Sequence, residues 1–76
     1  MSVEEARSLV HEATGIPIDY LTERASMHRT PMWDSLMSLK ILLLFEERFG
    51  AAPPEKDFSA FTSIASLAQF LQELEK

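Results

Sequence analysis

From Ser35 to Phe49 the chain reads SLMSLKILLLFEERF, a run of strong helix formers with no glycine or proline before Gly50. Such a run favours a helix, and Asp34 immediately before it is a good N-cap. Leu36, Leu39, Leu42, Phe45 and Phe49 recur at helical spacing and are the expected core stripe. Met37, Ile41, Leu43 and Leu44 add apolar surface outside that stripe, and this surplus is available to a partner.

Two further helices flank the central one. Ser2 with Glu5 three residues on is a capping-box signature, and Val3, Ala6, Leu9, Val10 and Ala13 then predict a helix from about Val3 to Ala13. Gly15 can take the left-handed conformation that closes it, and Pro17 prevents its continuation. Near the other end, Thr62 or Ser63 caps a helix whose Ile64, Leu67, Ala68, Leu71 and Leu74 repeat at spacings of three and four. The acidic run Glu73 and Glu75 with Lys76 reads as a solvated helix end.

The connections differ in character. Residues 16–33 show no sustained period, yet Ile16, Ile18, Tyr20, Leu21, Met27 and Met32 offer side chains that pin the loop to a bundle, with space for a short helical turn. Ala51-Ala52-Pro53-Pro54 is a break, after which Glu55 to Phe61 is expected to form one irregular turn that sends Phe58 and Phe61 to the core. The expected fold is all-α: a single domain over residues 1–76, an up-and-down bundle of three main helices plus one short helix.

Several functions are disfavoured by composition. A chain of 76 residues has one modest core and little depth for a catalytic cleft. It has no cysteine, so thiol chemistry must come from outside the chain. A net charge of −5 argues against nucleic acid and, taken globally, for basic protein partners. The longest apolar run, Ile41 to Phe45, is too short for a bilayer, so a cytoplasmic monomer without membrane insertion is expected. His11 and His28 lack companions at ligand spacing and read as surface histidines. No acid–base pair or glycine-rich phosphate loop supports an enzyme.

The remaining candidate is Asp34-Ser35-Leu36, where the long loop enters the central helix. A phosphodiester on Ser35 would lie near unpaired backbone N–H groups and the positive end of the helix dipole. The tripeptide alone is commonplace as a helix cap.

Its surroundings carry more information. The capped first helix ending at Gly15, the long loop, Trp33-Asp34-Ser35-Leu36, Leu39 to Leu42, Phe45-Glu46-Glu47-Arg48-Phe49-Gly50, the proline break and Phe61-Thr62-Ser63-Ile64-Ala65-Ser66-Leu67 together resemble the acyl carrier protein family over nearly the whole chain. The resemblance implies that Ser35 receives 4′-phosphopantetheine covalently from coenzyme A through a phosphopantetheinyl transferase. It also implies that the arm's thiol carries cargo as a thioester between a loading ligase and pathway synthases. Asp34 and Leu36 flank the attachment point.

One departure concerns the exposed face of the central helix. Carriers of fatty-acid synthesis have acidic residues there, whereas this chain has Met37 and Lys40, and only Glu46 and Glu47 keep that character near the far end. The expected partner surface is Met37, Lys40, Leu43, Leu44 and Glu47, with Trp33 either covering the base of the arm or packing the loop. The expected function is an acyl carrier for a dedicated fatty-acid, polyketide or related pathway. Two alternatives remain: an aminoacyl or peptidyl carrier, and an unmodified helical interaction module.

Overall fold

The structure, a computed structural model, describes residues 2–74, with the backbone alone at Ser2. Three α-helices form it: α1 (Ser2–Thr14), α2 (Ser35–Phe49) and α3 (Ile64–Leu74). Two 3-10 helices, Ile18–Tyr20 and Glu55–Thr62, lie in the connections, and the described residues contain no β-strand. The all-α expectation is met, with the second 3-10 helix as the short element. The Ser2 side chain of the expected capping box, and Glu75 and Lys76, lie outside the described residues.

α1 packs on both α2 and α3, and the second 3-10 helix touches α2 and α3. Ala6, Leu9 and Val10 bury one face of α1, while Ile64, Leu67, Ala68 and Leu71 bury one face of α3. Both stripes follow the spacings in the sequence. Val3 and Ala13 are only partly buried, and Leu74 is exposed. Ser63 caps α3, its Oγ accepting the Ser66 N–H at 3.1 Å. Gly15 and Gly50 close α1 and α2 at φ +79° and +80°, a left-handed geometry in which a side chain is strained.

The central helix departs from expectation. Its fully buried residues are Ile41 and Phe45, with Met37, Leu42 and Leu44 packed partly against the core. Leu36, Leu39 and Phe49, expected to be core, are exposed. Phe45 occupies the centre of an aromatic cluster, stacked on Phe49 at 4.3 Å and in contact with Phe61 at 5.4 Å and Phe70 at 5.6 Å. An inward-facing Phe45 brings Ile41 and Met37, one and two turns earlier, with it. Phe61 is buried as expected, but Phe58 is exposed.

The long loop is held at several points. Ile16 and Leu21 are fully buried, each worth about 1.5–3 kcal/mol of transfer free energy, whereas Ile18, Tyr20 and Met32 are exposed. Arg7 donates from Nε to the Leu21 carbonyl at 2.7 Å and from a terminal nitrogen to the Ile18 carbonyl at 3.3 Å. Further on, the Met27 N–H donates to the Thr62 carbonyl at 2.7 Å and the Ile64 N–H to the Ala25 carbonyl at 3.0 Å. These bonds seat the loop before α2 against the start of α3. Phe49 at the end of α2 and Leu74 at the end of α3 line one shared depression.

Candidate functional site

Ser35 is the first residue of α2 and is exposed. Asp34 precedes it in extended conformation, φ −122° and ψ −171°, and its Oδ1 accepts the Met37 N–H at 3.0 Å. The Asp34 carbonyl begins the helical ladder by accepting the Ser38 N–H at 3.1 Å. One donor of the first turn is thereby capped by a side chain, while the turn as a whole keeps the outward N–H groups and partial positive charge of a helix start. A phosphodiester on the Ser35 hydroxyl fits this position: it would project into open surface at the positive end of α2.

The loop behind Ser35 is rigidly tied. The indole of Trp33, only 2% exposed, donates from Nε1 to the Ser38 Oγ at 2.9 Å, and the Ser38 hydroxyl in turn donates to the Met27 Sδ at 3.4 Å. The His28 N–H donates to the Trp33 carbonyl at 2.7 Å, and the Trp33 N–H to the Thr30 carbonyl at 3.1 Å. His28 and Met32 sit at φ +70° and +72°. For residues other than glycine that geometry costs on the order of 1–2 kcal/mol each, so the surrounding hydrogen bonds and the buried indole hold the loop in it.

The structure redistributes the expected partner residues. Trp33 is corrected: its ring lies in the core and presents no surface to a partner, because its N–H finds an acceptor on α2 beneath the loop. Met37 and Leu44 are half buried against the core, so they present less outward surface than expected. Lys40, Leu43 and Glu47 are exposed, as is Leu36 beside Ser35. Leu39, assigned to the core by its spacing, joins them at the surface. The signal that could have found it is the position of the polar residues: Lys40, Glu46 and Glu47 fall on the same side of the helix as Leu36, Leu39 and Leu43.

His11 and His28 are not brought together as a site. The His11 Nδ1 is hydrogen-bonded to the Ile16 carbonyl at 2.7 Å, a cap on the end of α1. Among the described residues there is no cluster of three or more groups able to ligate a metal, and no helix is long and apolar enough to cross a membrane.

A family model described as a phosphopantetheine attachment site matches residues 4–71. A curated acyl carrier protein of Akkermansia muciniphila is 24% identical over 72 residues, covering 95% of this chain and 90% of that protein. With a capped helix start, an exposed serine and a family match spanning all three α-helices, the chain belongs to the phosphopantetheine-attachment family of acyl-carrier-type proteins, whose domain takes a covalent 4′-phosphopantetheine.

Proposed function

We propose that Ser35 is the residue that takes the 4′-phosphopantetheine arm and that the chain serves as an acyl carrier rather than as an enzyme. The observation that carries the assignment is the placement of an exposed serine at the first position of α2, behind the Asp34 cap, within the matched region. In the attachment step the Ser35 Oγ forms a bond to the phosphorus next to the pantetheine of coenzyme A. The pyrophosphate P–O bond breaks, adenosine bisphosphate leaves, and the serine proton passes to a base of the transferase. Once attached, the arm supplies the thiol that this cysteine-free chain lacks.

The chain's own residues position and present. Asp34 fixes the start of α2, the outward N–H groups favour the phosphodiester, and the Trp33–Ser38–Met27 chain of hydrogen bonds keeps the loop from folding over Ser35. Tethering gives the cargo a raised effective concentration at each enzyme that docks. An acyl cargo is favoured over an aminoacyl one by the name of the curated relative. The partners follow from the role: a phosphopantetheinyl transferase, a loading ligase and synthases of a dedicated pathway.

Intact mass after incubation with coenzyme A and a broad-specificity transferase tests the reading. A gain of one phosphopantetheine is expected. No gain with several transferases would leave the interaction module as the better account.

A further inference from the structure

Thr30, Pro31, Met32 and Trp33 form a β-turn closed by the Trp33 N–H, which donates to the Thr30 carbonyl at 3.1 Å. Proline at the second position fixes its own φ at about −65°, and Met32 at the third position has φ +72°. That combination is a type II turn, whose third position calls for glycine or asparagine. Methionine has neither glycine's freedom nor a short polar side chain that bonds the local backbone, so it bears the full left-handed strain. His28, at φ +70° in the same loop, is a milder case, because histidine enters the left-handed region more often than most residues.

Packing gives Met32 nothing in return. Met27 and Met37 pack partly against the core, whereas Met32 is 59% exposed, the most exposed large apolar side chain among the described residues. The turn is also held in place, since the Trp33 ring is buried and its indole is bonded to Ser38. A strained, exposed apolar residue on a fixed platform calls for a contact that the bare chain does not contain. Met32 stands three residues before Ser35, so their Cα atoms lie at most about 11 Å apart. In 4′-phosphopantetheine a quaternary carbon bearing two methyl groups follows the phosphate by one methylene. It is the apolar part of the arm that is tethered closest to the protein, ahead of the polar hydroxyl and amides.

We infer that Met32 is a positioning residue for the arm: its thioether side chain packs on the dimethyl carbon next to the phosphodiester and sets the direction in which the arm leaves Ser35. The inference rests on Ser35 as the attachment point. An unbranched, polarisable thioether adapts its shape to a branched methyl group, and each close atom pair adds a small attraction. Glycine or asparagine would suit the turn better but would leave that carbon in water. The group contacted is the chain's own cofactor, because the tether keeps it at high local concentration beside the turn whichever enzyme docks.

The test compares the unmodified and arm-bearing forms of the full chain, prepared with coenzyme A and a broad-specificity transferase and carrying isotope-labelled methionine methyl groups. In the arm-bearing chain the Met32 methyl signal is expected to shift and to show nuclear Overhauser contacts to the arm's geminal methyl protons, while the Met27 signal stays in place. Met32→Asn should raise the melting temperature of the unmodified chain by several degrees, because the turn strain is relieved. Attachment of the arm should raise the melting temperature of the unmutated chain and lose that effect in Met32→Asn, whereas Met32→Leu, which keeps an apolar side chain, should retain most of it. A Met32 methyl group indifferent to attachment, or an equal response to attachment in Met32→Asn, overturns the inference and leaves Ser35 as the attachment point. A lower melting temperature for unmodified Met32→Asn would make Met32 a support of the fold and equally overturn it. So would a Met32 signal that moves only when the transferase is added, which assigns the residue to a protein partner. If the unmutated chain takes no arm, the carrier reading itself falls.

Discussion

The indole N–H of Trp33 donates to the Ser38 hydroxyl at 2.9 Å, joining the last turn of the loop to the first turn of α2 directly beneath the exposed Ser35. The bond explains why a tryptophan stands beside the site without facing outward. Its ring fills the core, and its one donor is satisfied by a serine whose own proton goes to the Met27 sulfur.

Ser38→Ala should leave that indole N–H buried without an acceptor. The expected cost is about 1–3 kcal/mol, read from urea unfolding followed by the fluorescence of the single tryptophan. Ser38→Thr, which keeps the hydroxyl, should recover most of the loss. Equal stability of Ser38→Ala and the unmutated chain would mean that the bond contributes nothing.

Arg7 is the main tie between α1 and the early loop, with donors on the Leu21 and Ile18 carbonyls. Arg7→Met retains the aliphatic stem and removes the donors. Amide exchange at residues 18–22 is expected to accelerate at least tenfold while exchange in α3 changes little, and stability to fall by about 1–2 kcal/mol. Arg7→Lys should behave like Arg7→Met at the loop, since one ammonium cannot reproduce the guanidinium fork.

Asp34→Ala removes the acceptor for the Met37 N–H and should destabilise the chain by about 0.5–2 kcal/mol, whereas Asp34→Asn should be close to neutral. Denaturation midpoints of the two variants distinguish a cap from a charge effect. If Asn were as damaging as Ala, the carboxylate charge rather than the hydrogen bond would be what matters.

At Gly50 an added Cβ would meet nothing within 4 Å, so the cost of Gly50→Ala is the backbone strain at φ +80° alone. It should amount to about 1–2 kcal/mol, several degrees in Tm for a chain of this size. Gly50→Asn should cost less, because asparagine enters the left-handed region more readily.

The outer helices were legible because each has one apolar face and a clear stop. In α1 and α3 the positions that repeat at three and four are the positions that bury, with Val3 and Ala13 only partly buried and Leu74 exposed. α2 was legible as a helix but not in its orientation, since apolar residues occur nearly all round it and two stripes compete. The tie was broken by the partners of Phe45: an aromatic cluster assembled from Phe61 and Phe70, distant in sequence, pulls Ile41 and Met37 inward and turns Leu36, Leu39 and Leu43 to the surface. Phe58 was misplaced, and the choice between the two readings of Trp33 stayed open, for the same kind of reason. Nothing local shows that the 3-10 helix turns Phe58 outward, or that a serine five residues on will accept the indole proton. Asp34 as the cap was readable from residue type alone, and the structure places its carboxylate on the Met37 N–H.

The attachment of the arm to Ser35 is tested most directly by localising the modification. After incubation with coenzyme A and transferase, trypsin should release the peptide from Thr30 to Lys40, which contains both Ser35 and Ser38. Fragmentation of that peptide is expected to place one phosphopantetheine on Ser35, with none on Ser38 and none on the intact Ser35→Ala chain. Modification of Ser38 or of a serine elsewhere, or a mass gain by Ser35→Ala, would contradict the account.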